Sequence, residues 1–236
     1  MLIANEEMLF SFFYNLPPLE PNEVYYVHVL ERPKHESNKT KMLYRCSGDI
    51  RQILRGLKHI DILLRSGQSD FEWTREGICA YVGINPRNQI RCAGGIVKTI
   101  VENTLLDPKP EINLHNVYFN QIQNYGVVSK YLIIDLDFVA ENNNRELELQ
   151  KIIDALFAMF GSAFTKHLVV KTRGGHHVVL DREQLDNSWY NKFVSKLGSG
   201  MDQVGKQLLT PIPGTYQGTH VVEFVTPTLS LKDNNT

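Results

Sequence analysis

The chain has 236 residues, of which 42% are hydrophobic and 22% are charged, so it is long enough for one large domain or two small units that share a core. The formal net charge of −1 argues against a protein that coats nucleic acid through bulk charge, although a local basic groove is compatible with it. No apolar run approaches about 18 residues, and we therefore expect no membrane span.

Cysteine usage indicates the compartment. The three cysteines Cys46, Cys79 and Cys92 are scattered and none belongs to a CxxC pair, which argues against structural zinc and against a disulfide framework. We expect a reduced, cytoplasmic protein.

Helices and strands alternate in the first half of the chain. The hydrophobic spacing predicts helices over 5–15, 48–67 and 92–106, strands over 24–30 and 77–87, and a polar loop over 31–41. We define residues 1–115 as an N-terminal αβ unit.

The second half, residues 116–236, has a different pattern. It predicts strands over 131–138, 166–172 and 174–181, helices over 146–161 and 181–198, a short helix around 202–209, and a final strand after PIPGTYQG. Strand, helix, hairpin, helix, strand predicts an α+β fold with a mostly antiparallel sheet.

Two aspartates interrupt the apolar strand YLIIDLDF. Asp135 and Asp137 are two residues apart, so their side chains project from the same face of a strand. Two such carboxylates repel each other unless a cation lies between them. Oxygen ligands that leave part of the metal's coordination shell free for a substrate suit magnesium or manganese. Two exposed aspartates at the end of a strand would give the same sequence.

The segment KTRGGHHVVL concentrates groups that can hold a polyphosphate. Lys171 and Arg173 precede a Gly-Gly turn, and His176 and His177 follow it. Because alternate residues of a strand face opposite sides, we expect only one of the histidines to face the aspartates. An ordinary hairpin turn with incidental charges is the competing interpretation.

A third acidic position lies in GMDQVGKQLLTPIPGTYQG. Asp202 follows the apolar Met201, and Lys206 lies one helical turn further on. Asp202 also fits a simple helix N-cap. Glu223, on the strand after PIPGTYQG, is the rival for a third carboxylate.

The order of these motifs resembles the archaeo-eukaryotic primase superfamily, in particular its primase-polymerase members from plasmids, phages and CRISPR-associated systems. IIDLD is similar to the first motif, Gly175-His176-His177 to the second and Met201-Asp202 to the third, and YVGINPR and LLTPIPGTYQG resemble two flanking segments. The resemblance covers roughly residues 80–225, and residues 1–75 match no part of the family. The turn in the second motif is also shorter here, with the sequence TRGGHH.

The resemblance implies a single catalytic domain over residues 1–236, with an RRM-like sheet unit over 116–236. It implies a DNA-dependent primase-polymerase that transfers nucleotides from NTP or dNTP to a 3′-hydroxyl, with two Mg²⁺ or Mn²⁺ ions as cofactors. The implied metal ligands and catalytic residues are Asp135, Asp137 and Asp202. The implied nucleotide-binding residues are Lys171, Arg173, His177, Arg87 and Lys206.

The implied partners are a single-stranded DNA template, a primer, and a helicase or accessory domain, in the cytoplasm of a prokaryote or in a mobile-element context. Three other functions fit the same residues: a gap-filling repair polymerase, a non-catalytic nucleic-acid-binding replication initiator, and a metal-dependent phosphodiesterase or nuclease.

Overall fold

The computed structural model describes the chain except residues 17, 32–39, 68–76, 107–111, 126, 129, 138–144, 161–166, 183–202, 206–208 and 226–236. Its α-helices are α1 (Glu6–Tyr14), α2 (Ile50–Ser66), α3 (Gln89–Val101), α4 (Leu114–Tyr125) and α5 (Arg145–Phe160). Helix α3 continues as a π-helical turn over Glu102–Leu106.

The strands in chain order are β1 (Glu23–Glu31), β2 (Lys41–Gly48), β3 (Ile78–Asn88), β4 (Tyr131–Asp137), β5 (His167–Lys171), β6 (Gly175–Asp181), β7 (Gln203–Gly205), β8 (Leu209–Pro211), β9 (Tyr216–Gln217), β10 (His220–Val221) and β11 (Glu223–Val225). They form two antiparallel sheets. The first has the order β10-β9-β3-β1-β2, with β8 also paired to β3, and the second has the order β11-β5-β6-β4-β7.

Helix α2 shows how local sequence sets the boundaries of an element. Asp49 accepts a hydrogen bond from the backbone N–H of Gln52, and the Gln52 side chain accepts one from the Asp49 N–H, which completes a capping box. The helix ends at Gly67, whose φ of 66° is the left-handed conformation that glycine adopts without strain.

In the second sheet, β6 lies between β4 and β5, so that β4, α5 and β5 form a split βαβ unit. Strand β6 pairs with β5 on one side and with β4 on the other. Strand β7 pairs with the other edge of β4.

One hydrophobic core joins the two sheets to α1 and α2. Alternate residues of β1 point into it, namely Tyr25, Val27 and Val29. The second sheet contributes Ile133, Val170 and Val179. The same face of the second sheet therefore carries Asp135, two residues after Ile133, at the border of this core.

The C-terminal segment completes both sheets. Strands β8 and β9 pair with β3, and β11 pairs with β5. The turn at Gly214 contacts the start of the chain, because the Gly214 carbonyl accepts hydrogen bonds from the N–H groups of Ala4 and Asn5. The division at residue 115/116 stays a prediction.

The predicted α+β class with antiparallel sheets is confirmed. The predicted helix around 202–209 is wrong for residues 203–205, which form β7 and pair with β4. The predicted helix over 181–198 lies outside the described residues from residue 183 onward, and β2 and α4 were not predicted. Within the described part of the chain, no helix has the length and apolar character to cross a membrane.

Candidate functional site

Asp135 and His177 face each other across the β4–β6 pair. The two residues are partners in the strand register, and His177 Nε2 lies 3.2 Å from Asp135 Oδ1. The His177 side chain is 9% exposed and that of Asp135 is 22% exposed, so the pair lies at the edge of the core with Asp135 partly exposed. His177 therefore faces Asp135, and the expectation that it also faces Asp137 stays a prediction.

The other ring nitrogen of His177, Nδ1, is buried and has no hydrogen-bond partner among the described residues. A buried polar atom without a partner is unfavourable and is normally satisfied by a bound group or by water. His177 therefore has hydrogen-bonding capacity left at Nδ1 beyond its contact with Asp135.

Asp137 lies at the end of β4 opposite Gly175, the first residue of β6. Its backbone position is described, and it is two residues beyond Asp135 on the same strand. The turn beside it is closed by two hydrogen bonds: the Thr172 N–H donates to the Gly175 carbonyl, and the Gly175 N–H donates to Thr172 Oγ1. The two motifs therefore meet at one end of the second sheet.

Arg173 lies in this turn and is exposed. Its backbone N–H donates to Oε1 of Gln217 at 2.9 Å, which ties the turn to β9 of the first sheet. Gln217 belongs to the PIPGTYQG segment, in which the sequence pattern indicates no role for this side chain. The structure brings the second motif and the PIPGTYQG segment together.

Lys171 lies on the opposite face of the sheet from His177. It is the register partner of His176, whereas Val170 is the partner of His177. Lys171 Nζ lies 4.0 Å from Glu223 Oε2, and both side chains are substantially exposed. Lys171 is thus separated from the face that carries Asp135.

Glu223, the rival third carboxylate, lies on β11. Strands β5 and β6 intervene between β11 and β4, which places it three strand spacings, about 14 Å, from β4. It pairs with Lys171 on the face opposite to that of Asp135.

Asp202 and Lys206 lie outside the described residues. Strand β7 begins at Gln203, and Gln203 is the register partner of Asp135. The side chains of Asp137 and Gln203 are not among those described. Within the described residues there is no group of three or more His, Cys, Asp or Glu side chains arranged to hold a metal.

Arg87 lies on the first sheet and is 2% exposed. A Cβ atom added at Gly83 would come 3.4 Å from Arg87 Nη2, so the arginine folds over Gly83, the register partner of Tyr26. Burial lowers the pKa of the guanidinium. The predicted contact of Arg87 with a nucleotide stays a prediction.

Asn85 of the same NPR segment has a structural role that the sequence analysis had not identified. Its Oδ1 accepts hydrogen bonds from the backbone N–H groups of Lys130 and Tyr131, and its Nδ2 donates to the Tyr131 carbonyl. Because Tyr131 is the first residue of β4, Asn85 fixes the start of the strand that carries Asp135.

Comparisons with protein-family models, with curated proteins and with solved structures find no match to this chain.

Proposed function

We propose that the chain is a DNA-dependent primase-polymerase, which transfers nucleotides from NTP or dNTP to a 3′-hydroxyl on a single-stranded DNA template. The observation that carries the proposal is the Asp135–His177 pair, in register across β4 and β6 and 3.2 Å apart, at the end of the sheet where Asp137 meets the Arg173 turn. Both elements were expected at one site from the order of the sequence motifs.

The donor set fits Mg²⁺ or Mn²⁺. Carboxylate oxygens are the ligands that these ions prefer, and the Asp135 carboxylate is partly exposed. Asp135 and Asp137 would hold the ions, with Asp202 as the third ligand, because β7 begins one residue after Asp202 and pairs with β4 at Asp135. When bound, such a pair of ions lowers the pKa of an attacking hydroxyl and stabilises the leaving pyrophosphate.

The chain's own residues would orient the nucleotide. His177 holds the Asp135 carboxylate through Nε2, and as an imidazolium it would also have an N–H at Nδ1 to donate to a phosphate oxygen. Arg173 is exposed in the turn that follows β5, and its guanidinium could bind phosphate through two parallel hydrogen bonds. Lys206 remains a candidate for a further contact to the nucleotide, whereas Lys171 lies on the opposite face of the second sheet and Arg87 lies on the first sheet.

The topology of the second sheet supports the proposed RRM-like unit. The order β5-β6-β4-β7 follows from a split βαβ unit with one further strand added beside β4, which is the arrangement of ferredoxin-like folds. We extend the proposal to an archaeo-eukaryotic primase core, acting in the cytoplasm with a primer and with a helicase or accessory domain as partners.

The test is an incorporation assay on unprimed single-stranded DNA with labelled NTPs or dNTPs and Mg²⁺ or Mn²⁺. We compare the wild type with the Asp135→Asn/Asp137→Asn double variant, and we use Asp154→Asn as the matched control. Asp154 is an exposed aspartate on α5 that accepts a hydrogen bond from Gln150. The proposal predicts short products from the wild type and the control, and none from the double variant.

A primed template in a parallel reaction separates initiation from extension. If products form only when a primer is present, the protein extends primers as a polymerase and does not initiate them. Shortened template would indicate a nuclease. Intact template without any product, from a folded protein that retains the template, would leave a nucleic-acid-binding module and refute the enzyme.

A further inference from the structure

Two guanidinium groups converge on one tyrosine–histidine pair on the first sheet. The rings of Tyr26 and His28 are 4.2 Å apart in an edge-to-face arrangement, on the face of β1 opposite to the hydrophobic core between the sheets. Arg45 is the register partner of His28 on β2, and Arg87 reaches the same place from β3. We name these four residues, Tyr26, His28, Arg45 and Arg87, the arginine cluster.

The arginine cluster lacks negative charge. Among the residues that the structure describes, neither Arg45 nor Arg87 forms an ion pair with a carboxylate. Nε and Nη1 of Arg87 are buried without a hydrogen-bond partner, and so is Nε2 of His28, which is 3% exposed. A buried guanidinium with no counter-charge and with two of its nitrogens unpaired is strongly unfavourable.

Within the arginine cluster, Arg45 is held in place by α4. Its Nη2 donates to Asn116 Oδ1 at 2.8 Å, and its guanidinium carbon lies 4.8 Å from the centre of the Phe119 ring. Both partners belong to α4, which covers this face of the sheet. Arg45 is partly exposed, whereas Arg87 is buried.

His28 is kept neutral by its surroundings. Burial and the neighbouring Arg45 and Arg87 lower the pKa of His28 to about 4, so the imidazole is neutral near pH 7. A neutral imidazole can donate a hydrogen bond to an anion without adding a third positive charge.

From this geometry we propose that the arginine cluster is a binding site for a phosphate monoester dianion, held by Arg87, Arg45 and His28. Two guanidinium groups match the charge of a dianion, and planar guanidinium groups bind phosphate oxygens in pairs. The inference does not rest on the proposed polymerase activity, because Asp135 and His177 lie on the other sheet.

The test is calorimetric titration of the full chain with inorganic phosphate at pH 7.5, together with the His28 ring resonance in NMR spectra. The wild type should bind saturably and shift the His28 resonance. Arg45→Gln and Arg87→Gln should each weaken binding at least about tenfold, the loss expected for one charged hydrogen-bonding partner. Arg45→Gln keeps the test valid if the buried Arg87→Gln variant does not fold.

Arg51→Gln, an exposed arginine of α2, is the matched control and should bind as the wild type does. The Asp135→Asn/Asp137→Asn variant should also bind phosphate normally, which separates this site from the proposed catalytic one. No saturable binding by the wild type, or equal weakening in Arg45→Gln and Arg51→Gln, would overturn the proposal.

Further titrations identify the source of the phosphate group. A nucleoside monophosphate that competes with inorganic phosphate would identify a small-molecule ligand. A 5′-phosphorylated oligonucleotide that binds more tightly than its 5′-hydroxyl counterpart, with the difference lost in Arg45→Gln, would identify a strand end.

Discussion

His177 Nε2 lies 3.2 Å from Asp135 Oδ1 because the two residues are direct partners in the antiparallel β4–β6 ladder. Residues directly opposite each other in such a ladder have their Cβ atoms about 4.5–5.5 Å apart, which brings a histidine and an aspartate into hydrogen-bonding range. The relationship therefore depends on strand register, and a shift by one residue would bring His176 opposite Asp135.

The contribution of His177 can be measured by substitution. His177→Gln should lower kcat/KM for nucleotide incorporation about 10- to 100-fold, because one polar contact to the phosphate and the support of Asp135 are both weakened. Steady-state incorporation on a primed template provides the measurement. His59→Gln, an exposed histidine of α2, should match the wild type, and an equal loss in both variants would contradict the assignment.

Asn85 should be important for stability and for the position of β4. Asn85→Ala removes three hydrogen bonds to the backbone at residues 130–131 and should lower the free energy of unfolding by about 2–4 kcal/mol. Urea denaturation measures the loss. Asn85→Asp retains the acceptor for the Lys130 and Tyr131 N–H groups but places a carboxylate oxygen against the Tyr131 carbonyl, so it should also destabilise. If both variants were as stable as the wild type, the proposed role of the Asn85 hydrogen bonds would be refuted.

Gly214 and Gly94 form a matched pair of glycines. Gly214 has a φ of 79°, and an added Cβ would lie 2.4 Å from the Asn5 carbonyl oxygen and 2.7 Å from the Leu9 nitrogen. Gly214→Ala should therefore cost about 3 kcal/mol or more in the free energy of unfolding. Gly94 lies on α3 with open space around its Cβ position, and Gly94→Ala should stabilise by roughly 0.5–1 kcal/mol. Thermal and urea denaturation of both variants measure the two changes in the free energy of unfolding. Equal changes in the two variants would contradict the prediction.

His28 should make stability depend on pH. Its pKa is lowered from 6.5 in the unfolded chain to about 4 in the fold, so the unfolded state binds the proton first as the pH falls. The free energy of unfolding should consequently decrease by about 3 kcal/mol between pH 6.5 and pH 4 through this group alone. Urea denaturation at several pH values gives the slope of the free energy of unfolding against pH. The difference in this slope between the wild type and His28→Gln is the contribution of His28, and His59→Gln serves as the control. If His28→Gln had the same slope of unfolding free energy against pH as the wild type, this prediction would be contradicted.

Periodic segments were predictable from the sequence, and short or long-range features were not. The alternation in VYYVHVL and the apolar run in YLIIDLDF identify β1 and β4 directly, and α2 shows clear helical spacing between its cap and Gly67. Strand β2 was missed because its residues are mostly half-buried and follow a polar stretch. Strands β7 to β11 have only two or three residues each, and their pairing partners rather than local preference determine them.

The candidate site was predictable to the same degree. A shared face for Asp135 and Asp137 was expected from strand alternation and stays a prediction for Asp137, whereas the choice between His176 and His177 required the hairpin register. The same register places Lys171 on the opposite face, although it precedes Arg173 by only two residues. The burial of Arg87 depends on Gly83 and on the face of β1 that carries Tyr26, which a single sequence does not reveal.

Template-directed incorporation is the most direct measurement of the central claim. The wild type is supplied with a homopolymeric single-stranded DNA template and one labelled nucleotide at a time, and the template is then exchanged for its complement. We predict that the incorporated base is complementary to the template base. We also predict that Asp135→Asn/Asp137→Asn abolishes incorporation and that Asp154→Asn does not. Incorporation that ignores the template, or that survives in the double variant, would contradict the account.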